Sequence, residues 1–400
     1  MNPMLPLDVF VPDGEAHVMP DGRLYLYGSL DIKDGDTYCS DRYRVFSTGD
    51  MHVWRDEGES FHLEDGMLYA PDCAYKDGTY YLYYCTAGGG EYTAVSRRPQ
   101  GPFTDPRPME GIRGIDPAVM VDEDGTGYYF WGQFSLNGAR LMPDMRTIDK
   151  STVTENILTE EAHGFHEGAS IRKRNGKYYL VYTDVSRGRA TCLSYAVADS
   201  PLGPYKKGGV IVDNTCCDPG TWNDHGSIEP FGDQWYVFYH RSSRNGIYSR
   251  RACCERIYFD DSGRIGEVDM TSQGADGPLD AFGRIDAHLA CRMKGGAYLA
   301  SDGDGEKLTG LGGAEAWPSW AQWRDVDFGQ GARGMAIEAR GHGRAYAHRG
   351  ERKEAIGFSV DSDEWKVIKA SGSLPGGAGP LYLMAWGDGI EVRWLTFEAK

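Results

Sequence analysis

Hydrophobic and polar positions alternate along this chain in short runs, and one run frames the rest. Phe165-His166-Glu167-Gly168-Ala169-Ser170 leads into Ile171-Arg172-Lys173-Arg174, then Asn175-Gly176, then Lys177-Tyr178-Tyr179-Leu180-Val181-Tyr182. Period-two alternation interrupted by Asn-Gly predicts two antiparallel strands joined by a tight turn. The device recurs at Asp21-Gly22 before Leu24-Tyr25-Leu26-Tyr27 and at Asp77-Gly78 before Tyr80-Tyr81-Leu82-Tyr83. It returns at Asp124-Gly125 before Tyr128-Tyr129-Phe130 and at Gly232-Asp233 before Trp235-Tyr236-Val237-Phe238. Long apolar stretches at helical spacing are few, so the chain reads as all-β.

The phase of the repeat carries more than its existence. Eight residues before each turn Asp or Asn stand Asp13, Tyr69, Asp116, Glu167 and His225, at steps of 56, 47, 51 and 58 residues. Multi-strand repeats of this length fit the blades of a five-bladed β-propeller, whose equivalent strands surround one axis. Residues of equal phase then meet at one end of the central channel. Five unrelated hairpins in a plain sandwich are the alternative. A second self-similarity favours the propeller: Ala94-Val95-Ser96 precedes Gly101-Pro102-Phe103 as Ala196-Val197-Ala198 precedes Gly203-Pro204-Tyr205, each a turn into an edge strand.

Four hundred residues exceed one ordinary core, so two domains are expected. Met1–Val11 is a lead-in and 31–66 a charged connection, and the small polar stretch Met270–Gly277 is a candidate linker. The division is a propeller over 1–277 and a β-sandwich over 278–400, with Met335–Ala339 and Ile390–Trp394 as sandwich strands.

The formal charge of −17 argues against nucleic acid or an anionic membrane as partner, because phosphate binding needs basic patches. No basic and apolar leader opens the chain and no run of 18 apolar residues occurs. Nine cysteines, an odd number without an export signal, lead us to expect reduced thiols and a cytoplasmic protein. Cys216-Cys217 and Cys253-Cys254 lack the Cys-x-x-Cys spacing of a zinc site.

Taken singly, the in-phase residues have ordinary readings: Asp13 a turn residue, Glu167 a solvated acid, His225 a core histidine, Tyr69 a core ring, and Arg250, from outside the repeat, a surface charge. Three acids at one channel mouth are another matter, since like charges oppose each other's ionisation. Two acids flanking a sugar are the minimal apparatus for cleaving a glycosidic bond, one protonating the leaving oxygen, the other activating water or attacking. Carboxyl gaps of about 6.5–9.5 Å accompany inversion and about 5–5.5 Å retention. A third acid can tune and orient the protonated one. Tyr69 offers a flat face for a sugar.

These stretches together resemble glycoside hydrolase family 43. The residues that carry the resemblance are Val11-Pro12-Asp13-Gly14-Glu15-Ala16, Tyr69-Ala70-Pro71-Asp72, Asp116-Pro117-Ala118-Val119, Phe165-His166-Glu167-Gly168-Ala169-Ser170 and Asn223-Asp224-His225-Gly226-Ser227. They cover about two thirds of the chain, in order. The resemblance implies Asp13 as general base, Glu167 as general acid and Asp116 as the residue tuning that acid. It places His225 near the propeller axis, associated with calcium or another ion through water, and Arg250 near a substrate-contacting arginine. No organic cofactor is implied. The implied activity is exo-acting and inverting, removing terminal α-L-arabinofuranosyl residues from arabinoxylan or arabino-oligosaccharides, with β-D-xylosidase or dual activity as the alternative. A non-catalytic carbohydrate-binding propeller is the rival class. Two departures stand out: many relatives have Asp-Pro where this chain has Asp13-Gly14, and Trp where it has Tyr69. The C-terminal part resembles the family 6 carbohydrate-binding sandwich, with Trp365, Trp386 and Trp394 as candidate stacking residues.

Overall fold

The computed structural model describes residues 1–314 and 316–400, with the side chains of 351–353 left aside. The repeat pattern becomes five antiparallel sheets. The first contains β1 (Glu15–Val18), β2 (Leu24–Tyr27), β3 (Arg42–Thr48) and β4 (Trp54–His62). The second holds β5 (Asp72–Lys76), β6 (Thr79–Cys85), β7 (Gly90–Ser96) and β8 (Thr104–Arg113). The third holds β9 (Ala118–Val121), β10 (Gly127–Trp131), β11 (Ser135–Arg140) and β12 (Thr154–Thr159). The fourth has β13 (Phe165–Arg174), β14 (Lys177–Asp184), β15 (Cys192–Ala198) and β16 (Lys206–Asp213), and the fifth β17 (Ser227–Phe231), β18 (Gln234–Ser243) and β19 (Gly246–Ile257).

Each predicted turn joins the first two strands of a blade. Asp77-Gly78 and Asn175-Gly176 both take positive φ at both positions (50° and 78°, 50° and 74°), the twist-matched geometry that a two-residue hairpin requires. The two Gly-Pro turns lead into β8 and β16, the outer edges of their blades, as the sequence predicts.

The ring closes through its apolar contents. Five buried clusters each span one pair of neighbouring blades: Phe61 with Tyr84, Tyr83 with Tyr129, Phe130 with Leu180, Val181 with Val237, and Phe238 with Leu26. Fully burying each such side chain is worth about 1.5–3 kcal/mol, so the blade-to-blade seams hold the ring. At the closing seam Gly14 pairs with Gly226, and Ser227 Oγ donates to the Gly14 carbonyl (2.9 Å) and accepts from Ala16 N–H (3.1 Å). The lead-in is structural: Met4 N–H bonds the Ala252 carbonyl of β19, and Asn2 bonds both the N–H and the carbonyl of Cys254.

Residues 279–399 form nine further strands in one hydrogen-bonded sheet with its own core around Trp323, Ile337 and Leu383. Its long strands, Ala332–Arg349, Glu351–Leu374 and Ala378–Ala399, contain both predicted sandwich strands. They pinch together where Gly387 meets Gly343; a Cβ on Gly387 would lie 2.7 Å from the Gly343 Cα, so only glycine fits. The candidate linker is not a free tether. Ser272 and Gln273 are buried, Asn2 N–H bonds the Ser272 carbonyl, and Gln273 Nε2 bonds Asp325 across the domain boundary (2.6 Å). Arg251 of β19 grips the buried Glu306 of the second domain with two hydrogen bonds. Trp365 has the guanidinium groups of Arg340 and Arg393 over its ring (4.9 and 4.1 Å), and Trp394 has Arg284 (5.4 Å). Trp386 meets Tyr346 edge to face.

Candidate active site

The innermost strands β1, β5, β9, β13 and β17 neighbour one another around the axis. The in-phase residues stand at their N-terminal ends, which is why one sequence offset finds them all. Asp13 and Asp116 each sit just before an inner strand in the left-handed region, with φ of 58° and 56°. Such a conformation is uncommon outside glycine and gathers at functional sites. Asp116 precedes proline and Asp13 precedes Gly14, yet the two backbones agree. The two aspartates take the same left-handed φ without a shared proline, and Gly14 is fixed by its pairing with Gly226.

Glu167 lies in β13 where the register with β14 slips on both sides of it, a bulge that re-aims a side chain. The next residue, Gly168, has φ 67°, and a Cβ there would strike the His225 ring at 2.9 Å. His225 can occupy the axis only because that position is glycine.

Asp13 is buried and fully engaged. Arg250 Nη1 donates to Oδ1 (3.0 Å) and Ser29 Oγ to Oδ2 (2.6 Å). Burial pushes its carboxyl up, but Arg250, His225, His240 and the Ser29 hydroxyl outweigh that and hold it below the usual carboxylate range. Asp116 goes the other way: burial first, then the charges of Glu167, Asp13 and Glu91, push it well above that range. His225 Nδ1 stands between the two, 3.8 Å from Asp13 Oδ1 and 3.9 Å from Asp116 Oδ2. Burial lowers the His225 pKa, against the opposing pull of Asp13 and Glu167.

Glu167, more open than the aspartates, is held by neutral donors, Gln133 Nε2 (2.9 Å) and Asn223 Nδ2 (3.4 Å). Asn223 also ties it to the far side of the site. Its carbonyl lies 3.0 Å from His240 Nε2, and His240 Nδ1 accepts from the Asp13 N–H at 3.5 Å. Burial drives His240 down to about 3, which fits this neutral tautomer. The structure thus joins Asp13, Asp116, Glu167, His225 and Arg250 at one mouth. Tyr69 is half-buried on its rim, its carbonyl receiving the Tyr43 hydroxyl; burial raises its phenol pKa while Arg250 lowers it.

Arg250 is not the free cation its position suggests. It is buried against Asp31, and the Tyr38 ring covers it at 4.7 Å. Asp31, Ser29, Tyr38, Gln133 and His240 all escape the sequence reading. Asn223, inside a quoted motif, did carry a signal.

The opposite end of the channel opens into a cavity of about 530 Å³ whose walls include His17, Arg172, Lys173 and Glu229. Arg172 donates to Glu15 (2.7 Å), to Glu229 and to the Ala16 carbonyl (2.6 Å), and His17 pairs with Asp72 (2.7 Å). Glu15, His17 and Asp72 are the one group of three His, Cys, Asp or Glu side chains, among the described residues, close enough to hold a metal ion. His225 lies outside it.

An acid-lined mouth on a five-bladed ring, with one carboxyl held below the usual range and a second pushed above it, is the arrangement a glycoside hydrolase uses. Residues 2–265 match the family description "Glycosyl hydrolases family 43". The chain is 31% identical to a xylosidase/arabinosidase of Thermoclostridium stercorarium, covering 97% of this chain and 96% of that one. A family 43 β-xylosidase/α-arabinofuranosidase from a compost microbial metagenome, solved with xylotriose in a calcium-free form, is 30% identical. That match covers 67% of this chain and 97% of that one, with a TM-score of 0.59. An arabinoxylan arabinofuranohydrolase of Bacillus subtilis, solved with cellotetraose, shares the fold over 100% of this chain and 97% of its own at 22% identity and a TM-score of 0.60. The chain belongs to glycosyl hydrolase family 43.

Proposed function

We propose that the protein is an exo-acting, inverting pentosidase that removes terminal α-L-arabinofuranosyl residues from arabinoxylan or arabino-oligosaccharides. One observation carries the reading: Asp13, gripped by Arg250 and held below the usual carboxylate range, shares its site with Asp116, pushed above that range, and the more open Glu167. Asp13 takes a proton from water as that water attacks the anomeric carbon. Glu167 delivers a proton to the leaving oxygen, and the glycosidic C–O bond breaks. Asp116, raised by burial and by the charge of Glu167, is the residue that tunes and orients that acid. Tyr69 on the rim offers its ring to the sugar. β-D-Xylosides enter the same pocket in the second reading, which the names of the two 30–31% identical relatives favour.

The family also implies calcium at the axis. Calcium takes about 6–8 oxygen ligands. Direct ligation does not fit here, since Glu15 is engaged by Arg172 and His225 brings a single nitrogen. Only an ion held through its own waters beside His225 suits these side chains, and no step above depends on one. The cytoplasmic placement is likewise a proposal; nine free cysteines support it and cell fractionation tests it.

Parallel assays with p-nitrophenyl α-L-arabinofuranoside and β-D-xylopyranoside test the activity, with NMR of the first-formed anomer testing inversion. Faster arabinoside cleavage is expected. Exclusive xyloside cleavage overturns the sugar assignment, and retained configuration overturns the mechanism.

A further inference from the structure

Asp31 is the most thoroughly engaged acid near the site that the mechanism above does not use. It stands early in the connection that leaves β2, its side chain fully shielded from solvent. Both its oxygens are committed to one partner. Oδ2 accepts from the Arg250 backbone N–H (3.1 Å) and from Nε (3.0 Å), and Oδ1 accepts from Nη2 (2.9 Å). The Cys39 N–H adds a fourth bond to Oδ1 (3.0 Å). Nε and Nη2 form the fork that a planar carboxylate matches. The far edge, Nη1, is the one that meets Asp13.

We propose that Asp31 is a positioning residue for the general base: it fixes the plane and reach of Arg250, so that Nη1 is presented to Asp13 Oδ1 and the ionised base is held in place. This rests on the role given to Asp13 above. The Tyr38 ring over the guanidinium and the Cys39 sulfur 3.5 Å from Nη2 close its other sides, so Asp31 is the anchor that fixes its direction. The geometry also explains why Arg250 can be buried. One guanidinium between two buried acids leaves neither acid without a cation, and an unpaired buried charge is strongly destabilising.

The titratable groups facing Asp13 are Arg250, His225, His240, Asp116, Asp31, Cys39 and Tyr43. Of these only Arg250 is a permanent cation, so losing its grip removes the main force holding Asp13 ionised. In Asp31→Asn the amide NH2 opposes the guanidinium fork and Arg250 turns away. We expect kcat to fall on the order of 10- to 100-fold, the scale of a misplaced catalytic group, with KM little changed. The acid limb of the kcat/KM profile then moves up by about half to one pH unit, as it must when a carboxylate loses its cation. Asp31→Ser serves as a second variant should the amide fail to fold.

A cycle with Arg250→Ala separates positioning from mere structural support. Asp31→Asn costs little or nothing once Arg250 is gone. A further ten-fold loss in that background, or an acid limb that stays put in Asp31→Asn, overturns the proposal. All variants are assayed on whichever aryl glycoside the unmodified enzyme cleaves. A wrong sugar assignment therefore shows in the parent protein alone and leaves this test standing.

Discussion

At one mouth of the channel Asp13, Asp116 and Glu167 gather, with Arg250 bonded to Asp13; at the other end Glu15, Asp72 and Glu229 surround Arg172. Both ends hold more acid than base, and both are buried. Their partners differ. At the Arg172 end the three acids are well bonded: Glu15 by Arg172 and Ser170, Asp72 by His17 and two backbone N–H groups, Glu229 by Arg172 and the Val18 N–H. At the Asp13 end Glu167 has the amides of Gln133 and Asn223. A cation beside a carboxyl favours its charged form and a neutral amide does not, although at the far end burial outweighs Arg172 and raises Glu15 to about 7. The excess of acid is common to both ends; the chemistry depends on which acids are left without a cation.

Glu167→Gln should break the contrast most severely. Removing the proton donor costs about 10²–10⁴-fold in kcat on an unactivated oligosaccharide, with the thermal midpoint nearly unchanged. Arg172→Met should do the reverse. Leaving Glu15 and Glu229 buried without their cation costs about 3–5 kcal/mol, read as a large fall in the denaturation midpoint, while kcat per folded molecule changes far less. The smallest effect is a pH dependence. Burial raises Glu15 and Asp72 to about 7, so between about pH 4 and 7 the folded protein holds protons that the unfolded chain releases. Their contribution therefore declines as pH rises through that window. His17, lowered to about 4 by burial, works in the opposite sense between about pH 4 and 6.5. Asp72→Asn should thus flatten the loss of thermal stability between pH 5 and 7.5, on the order of 2–4 °C relative to the parent. An unchanged slope would place the pH response elsewhere.

The propeller and the in-phase residues were legible because a ring of like blades turns equal sequence offsets into equal positions on one axis. Asp13, Tyr69, Asp116, Glu167 and His225 all follow from that one periodicity. Asp31 does not, since it sits in a connection outside the repeat and meets Arg250 across 219 residues. Arg250 showed the opposite failure. An arginine near the end of a strand reads as a surface charge until an acid from the first blade is seen to bury it. The packing of the candidate linker was hidden for a related reason: nothing local to its small polar residues reveals that Asn2 binds them.

Ring closure at Gly14 and Gly226 sets a timetable for synthesis. Arg250 leaves the ribosome 237 positions after Asp13. At about 5–20 residues per second that is a wait of roughly 10–50 s. A nascent chain missing its fifth blade therefore carries Asp13 without its counter-ion, and hydrolytic competence arrives only when the last blade meets the first.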